Sequence, residues 1–210
     1  MPRKRPNFIV IITDQQRADY LGCFGHPFLK TPAIDGLARE GTRFTRFYVS
    51  SPVCMPNRAT FMTGRMPSVN GARGNGHPLS LQANTFVELL RAKGYRTALV
   101  GKSHLMTMGP APALWKPTIP KDLEPPEGDL AEAIKPWASQ EAYDQENAER
   151  WTNDRNWKLT LPFYGFERVH LCTGHGDQVG GEYEHWLRNK GIDPEKIAGQ
   201  IGRASCRERV

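Results

Sequence analysis

The sequence predicts an α/β fold, a mostly parallel sheet flanked by helices, and three observations lead there. Runs of β-branched and aromatic residues alternate with capped, amphipathic segments, the order that builds parallel sheets covered on both faces. The first such run, residues 7–12, is apolar at every position from Phe8 to Ile12 instead of at every second position, as in a strand buried on both faces. Seventeen prolines and 20 glycines among 210 residues call for many loops, which argues against a bundle or coiled coil. The length suits one domain or a piece of a larger one.

The elements follow in order. Residues 7–12 read as a strand, and residues 13–30 as a polar, glycine-containing loop. Thr31 then caps a helix with Pro32 at its first position and Gly41 past its end, and Ile34, Leu37 and Ala38 share one face. Residues 42–49 read as a second strand, followed by Ser50, Ser51 and Pro52. Pro56 opens the next helix and Gly64 closes it. Thr85 and Glu88 form a capping box ahead of a helix ended by Gly94. Residues 95–100 read as a third strand, residues 165–171 as a further strand, and residues 182–190 as a helix ending at Gly191. The stretch 109–136 is rich in proline and acidic residues with little periodicity, and reads as an inserted loop within a domain covering residues 1–200.

Residues 201–210 are set apart from that domain. IGRASCRERV is what a common sequencing adapter encodes when read in frame, so this tail is expected to be an artefact and Cys206 to carry no meaning.

Charge excludes more than it suggests. The net +6 is mostly terminal: Arg3, Lys4 and Arg5 at one end, and Arg203, Arg207 and Arg209 against Glu208 at the other. No basic stripe with interleaved aromatics marks a nucleic-acid surface, so no nucleic-acid partner is expected. The run at 7–12 is too short for a leader or a bilayer span. No membrane association is expected. Four scattered cysteines fit free thiols, and a cytoplasmic location follows as the expectation.

Polar residues collect where strands should end. In parallel sheets ligands bind beyond the carboxyl ends of strands. Asp14 follows the first predicted strand, Cys54 the second, and Lys102 with His104 the third. Cys54 also begins a helix, where open backbone N–H groups would favour an anion, and Arg58 lies one turn on. Three residues between Cys54 and Arg58 exclude the tyrosine-phosphatase loop, which needs five.

Two stretches carry a resemblance. Cys54-Met55-Pro56-Asn57-Arg58 with Thr63-Gly64-Arg65 resembles the sulfatase signature C-x-P-x-R followed by T-G-R. Gly94-Tyr95-Arg96-Thr97 with Gly101-Lys102-Ser103-His104 resembles the second signature of that family, G-Y-x-T-x-x-x-G-K-x-H. Together with the strand ending in Asp14 they span roughly the first hundred residues. The resemblance implies the alkaline-phosphatase-like fold, here incomplete towards the C-terminus.

It also implies that a formylglycine-generating maturation enzyme oxidises Cys54, and that the hydrated aldehyde is the nucleophile. In that scheme one geminal hydroxyl attacks sulfur and expels the alcohol, and deprotonation of the other lets the carbon collapse back to the aldehyde, breaking its C–O bond to the sulfate and releasing it. Asp14 and the modified Cys54 would ligate a divalent metal, Ca²⁺ foremost with Mg²⁺ or Mn²⁺ as alternatives. Arg58 would hold the alkoxide, Lys102 an ester oxygen, and His104 the second hydroxyl. Gln15 and Gln16 after Asp14, where many sulfatases have a second aspartate, resemble the choline-sulfatase and phosphonate monoester hydrolase branch. Asn75 falls where that branch places an asparagine near the substrate.

The expected activity is therefore hydrolysis of a small-molecule sulfate ester. A phosphonate or phosphodiester hydrolase on the same scaffold and a non-catalytic binding homologue are the alternatives, and the oligomeric state is left open, a homo-oligomer included. Blander readings stand beside these. Asn75 in Gly74-Asn75-Gly76 also fits a plain turn. Gly174-His175-Gly176-Asp177 with Gly180-Gly181 fits a glycine turn better than a phosphate cradle. His170, Cys172 and His175 with Cys23 and His26 lack zinc-site spacing. Trp137, Trp151, Trp157 and Trp186 are expected to pack.

Overall fold

The computed structural model describes residues 5–109, 121–124, 127, 140–176 and 178–197. Most of the predicted insertion at 109–136, Trp137 and the tail at 201–210 lie outside these. The chain divides into two units, Met1–Tyr48 and Val49–Val210.

The first unit is organised around helix α1, Pro32–Glu40, which begins and ends where its proline and Gly41 predict. Thr31 precedes it, and its hydroxyl donates to Asp35 at 2.8 Å while accepting from the N–H of Gly22 at 2.8 Å. Asp35 also accepts from the N–H of Cys23 at 2.6 Å. These contacts hold its carboxyl below the usual range, the Thr31 hydroxyl contributing most.

Two predicted strands do not form in this unit. Residues 7–12 and 42–49 carry no ladder, and Phe8 and Ile9 are 61% and 86% exposed. Apolar β-branched composition states a demand for burial, but a strand exists only where a second segment supplies hydrogen bonds. Within the unit, no described segment pairs with either run.

The second unit holds the sheet. Strand β1 (Ala98–Gly101) pairs in parallel with β2 (Arg168–Thr173), Ala98 opposite Arg168 and Gly101 opposite Leu171. A two-residue β3 (Gly180–Gly181) runs antiparallel to β2, giving the order β1-β2-β3. β1 starts three residues later than predicted. The preceding Thr97 is committed elsewhere: its hydroxyl donates to Gly165 at 2.7 Å, and its carbonyl accepts from Glu167 and Arg168.

Helices α2 (Cys54–Thr63), α3 (Pro67–Asn70), α4 (Phe86–Ala92), α5 (Ala148–Asn153), α6 (Glu182–Asn189) and α7 (Pro194–Ile197) surround it. Most of their local end signals operate as the residues imply, although α2 begins at Cys54, two residues before the predicted Pro56. Gly64 closes α2 in the left-handed conformation, and the Thr85 hydroxyl accepts from the N–H of Glu88 at 3.1 Å at the start of α4. α2 turns Met55, Pro56, Ala59 and Met62 inward. Met62 and Ala59 join a core with Leu79, Val87, Leu105, Tyr143, Trp151, Phe163 and Leu171. Trp151 is fully buried and donates to Gln145 at 2.9 Å, and Trp157 packs against the same core. Trp186 departs from expectation: it is exposed and stacks on Tyr183, because α6 faces inward through Glu184 and Leu187.

The turn after Tyr164 makes one glycine indispensable. Gly165 has φ +92°, and a Cβ there would lie 2.5 Å from the backbone nitrogen of Glu88. Gly165→Ala is expected to destabilise the fold by about 2 kcal/mol or more, since strain and a backbone clash add. The urea midpoint checks this, and an unchanged midpoint would contradict the close packing of this turn on α4.

Candidate active site at the end of β1

Cys54 is the first residue of α2 and is half-buried. The backbone beyond it is already occupied. The N–H of Met55 donates to Oδ1 of Asn75 at 3.3 Å, Pro56 has no N–H, and the N–H of Asn57 closes on Val53 at 3.1 Å. Of the N–H groups at this helix start, that of Met55 is thus occupied by Asn75 and Pro56 has none to offer. Side chains nearby add positive charge. Asn75 belongs to the Gly74-Gly76 turn and serves as the cap to the Met55 N–H, beside Cys54.

Arg58 connects the two signatures. One turn into α2, its Nη1 donates to the backbone carbonyl of Lys102 at 2.7 Å. Lys102 directly follows β1, so the helix that carries Cys54 is tied to the carboxyl end of that strand. From the parallel neighbour β2 the chain turns at Gly174, and both ring nitrogens of His175 lie 3.2 Å from Nζ of Lys102. A Cβ on Gly174, at φ +76°, would come 2.2 Å from the carbonyl oxygen of Gln178, so this turn is tight. Two adjacent parallel strands therefore deliver a lysine and a histidine to one edge.

His104 sits two residues on, buried, with the uncommon φ of +50°. Its N–H donates to Oε2 of Glu146 at 2.8 Å, while the N–H groups of Leu105 and Met106 donate to Oε1 at 3.0 and 3.1 Å. Three successive amides wrapped on one carboxylate make a compact anion nest. Glu146 is fully buried. Burial pushes its carboxyl up to about 7 against the pull of those amides.

A folded value near 7 against 4.5 in the unfolded chain means that the folded state holds the proton more tightly. The stabilisation is complete below pH 4.5 and is lost as pH rises through 7. Glu146 alone should then make the protein about 3 kcal/mol less stable at roughly pH 8 than at roughly pH 4. Glu146→Gln should remove that dependence, measured as unfolding free energy against pH for both proteins. Parallel curves would refute it.

The remaining predicted residues are placed as follows. Asp14 belongs to the first unit and is exposed, next to Gln15 at φ +52°. Among the described residues no group of three or more His, Cys, Asp or Glu could hold a metal ion. A hard divalent cation takes about six or more oxygens, so the described residues do not complete a metal site. His170 pairs with Glu182 at 3.0 Å on the exposed side of β2, and the Cys172 thiol is pushed up, mainly by burial. Glu146 is the member of this site that sequence reasoning misses, and His175 is one it weighs only as part of a glycine turn or a rejected zinc cluster. The end of a strand parallel to β1 is a usable pointer to His175; nothing local to Glu146 marks it.

The family model described as Sulfatase matches residues 6–158, a stretch that includes Cys54, Arg58, Lys102, His104 and Glu146. The chain belongs to the sulfatase family. This sulfatase-family chain is similar to the steryl-sulfatase of Mus musculus, 40% identical over 111 residues that make up 48% of this chain and 18% of that protein. It is also similar to arylsulfatase A of Homo sapiens, 41% identical over 121 residues, 53% of this chain and 23% of that protein. The chain thus spans about a fifth of the length of the curated relatives it matches. Among solved structures, the phosphonate monoester hydrolase of Agrobacterium radiobacter aligns over 89% of this chain and 29% of its own, with a TM-score of 0.55 and 27% identity. The likeness agrees with the predicted α/β, alkaline-phosphatase-like class, of which the β1-β2 pair and its flanking helices are a part.

Proposed function

We propose that this sulfatase-family chain carries the nucleophile and part of the anion-binding edge of a hydrolase of small-molecule sulfate esters. The hydrogen bond from Arg58 to the Lys102 carbonyl carries the reading. It joins two motifs far apart in sequence into one edge, with a half-buried Cys54 at a helix end and two basic side chains nearby.

In this reading Cys54 is converted to formylglycine by a maturation enzyme, and the hydrated aldehyde supplies the attacking hydroxyl. The chain's own residues bind and orient. Lys102 holds a non-bridging ester oxygen, and His175, 3.2 Å from its ammonium, limits where that oxygen sits. Arg58 faces the nucleophile from one turn away while fixed to the strand end. His104 holds or moves a proton at the nucleophile position, and Asn75 keeps the start of α2 in place beside the substrate. Asp14 and the modified Cys54 are the residues that the family resemblance assigns to a divalent cation, Ca²⁺ foremost. A cytoplasmic setting belongs to the proposal, in keeping with Cys23, Cys54 and Cys172 standing outside any disulfide.

A second reading, phosphonate monoester hydrolysis, is favoured by the likeness to the Agrobacterium enzyme. Full-length protein co-produced with the maturation enzyme and assayed on an aryl sulfate and an aryl phosphonate monoester ranks the two. Higher kcat/KM on the sulfate is expected, and the reverse order would replace the first reading with the second. Inactivity on both, with an intact Cys54 thiol by mass spectrometry, would support a binding protein instead.

A further inference from the structure

We infer that Glu146 is a positioning residue for the reaction, setting the backbone of residues 104–106 and through it the placement of His104 and Lys102. The inference rests on the proposed hydrolase reading for its kinetic consequence, but not for its geometry.

The carboxylate is fully buried and spends both oxygens on three consecutive backbone amides of the turn after β1. That turn is otherwise costly. His104 lies at φ +50°, where a side chain with a Cβ is held only when its surroundings demand it. A carboxylate from 42 positions along the same chain over-determines the turn: release of the His104 N–H would let φ return to the ordinary region and swing the imidazole away.

The base from which Glu146 reaches is itself fixed. Its neighbour Gln145 accepts from Trp151 at 2.9 Å through its carbonyl and from the N–H of Thr160 at 2.7 Å through its side chain. Asp144 pairs with Arg150 at 2.5 Å, and the N–H of Ala148 donates to Met108 at 3.0 Å. The last bond closes the loop from the other side, since Met108 follows the clamped turn. A pinned segment thus grips a strained one, and the strained one carries the predicted catalytic His104, two residues after Lys102. A carboxylate present merely to fill space would not need both oxygens aimed at amides; an apolar side chain would do so without the desolvation cost.

The substitution Glu146→Gln keeps the volume but turns one oxygen into an N–H₂ donor facing N–H donors, so at least one amide loses its acceptor. Glu146→Asp keeps the carboxyl group and withdraws it by one methylene. In the full-length protein, E146Q is expected to lower kcat on the order of 100-fold with little change in KM, and E146D to recover part of it. Hydrogen exchange at the amides of residues 104–106 should accelerate in E146Q, and the ring resonances of His104, assigned with an H104Q variant, should shift. These two readouts need no turnover, so they test the clamp even if no sulfate ester is hydrolysed.

Faster exchange together with a shifted His104 resonance supports the inference. A folded E146Q protein with unchanged exchange and unchanged His104 resonances overturns it, as does unaltered kcat in an otherwise active enzyme. Should E146Q not fold, E146D is measured in the same two ways: faster exchange with a shifted His104 resonance supports the clamp, and no change in either overturns it.

Discussion

Cys54→Ala is expected to abolish sulfate-ester hydrolysis, with kcat reduced on the order of 10⁴-fold or more, while the protein stays folded. The two halves of this expectation have separate grounds. Loss of the atom that attacks removes the covalent route, and removal of a nucleophile costs a large share of an enzyme's acceleration because its partners act as a unit with it. Stability should hardly move. Position 54 is the first helical residue of α2, its side chain is only half-buried, and alanine is a better helix former than cysteine. The inward face is carried by Met55, Pro56, Ala59 and Met62, none of which the change touches. Steady-state rates on an aryl sulfate, beside thermal midpoints of both proteins, make the test. Mass spectrometry adds a second check. In the active wild type the peptide holding Cys54 should be lighter by the mass of H₂S less that of an oxygen atom. Activity retained by the alanine variant would end the proposal that position 54 is the nucleophile.

Arg58→Ala should lose both activity and stability, and this joint effect distinguishes it from the first change. The guanidinium is the tie between α2 and the end of β1 through the Lys102 carbonyl at 2.7 Å. Without it, a partly buried carbonyl loses its donor at a cost of about 1–3 kcal/mol. The same loss frees the Lys102 main chain, and removes a fixed positive charge from a site where charge develops, worth about 10²–10³-fold in kcat. Arg58→Lys is the informative companion. It keeps the charge but lacks the planar fork that reaches the carbonyl while still presenting other N–H groups to the site. Its stability should recover only in part, and its kcat less. Were Arg58→Lys to behave as wild type in both respects, the fork geometry would be irrelevant and the tie no more than a surface contact.

The site is partly legible in the residues because its motifs are local statements. Cys54, Pro56 and Arg58 lie within one helical turn, so their order already implies a helix start with a guanidinium one turn away, as the structure has it. Lys102 and His104 are legible as the end of a strand. What Arg58 holds is not. The expectation aims it at the nucleophile alone, whereas the structure has it donating to a backbone carbonyl 44 positions on. Asn75 leaves two readings open, turn and substrate contact, and the structure adds a third by bringing its side chain to the start of α2.

Helix ends are readable in the residues themselves. Pro32, Thr85 with Glu88, and Gly64 and Gly94 start, satisfy or terminate helical hydrogen bonds within about four positions, whereas the Thr31 hydroxyl, expected to cap α1, makes no cap bond and joins Gly22 to Asp35 instead. Strands and buried charges are different in kind. Residues 7–12 and 42–49 have strand composition, yet the hydrogen bonds of a strand belong to its neighbour, and composition cannot name that neighbour. Glu146 is one acidic residue among many in the text. Only the folded chain turns it inward onto the amides of residues 104–106, because an interaction between a side chain and a backbone 40 or more residues away has no local signature.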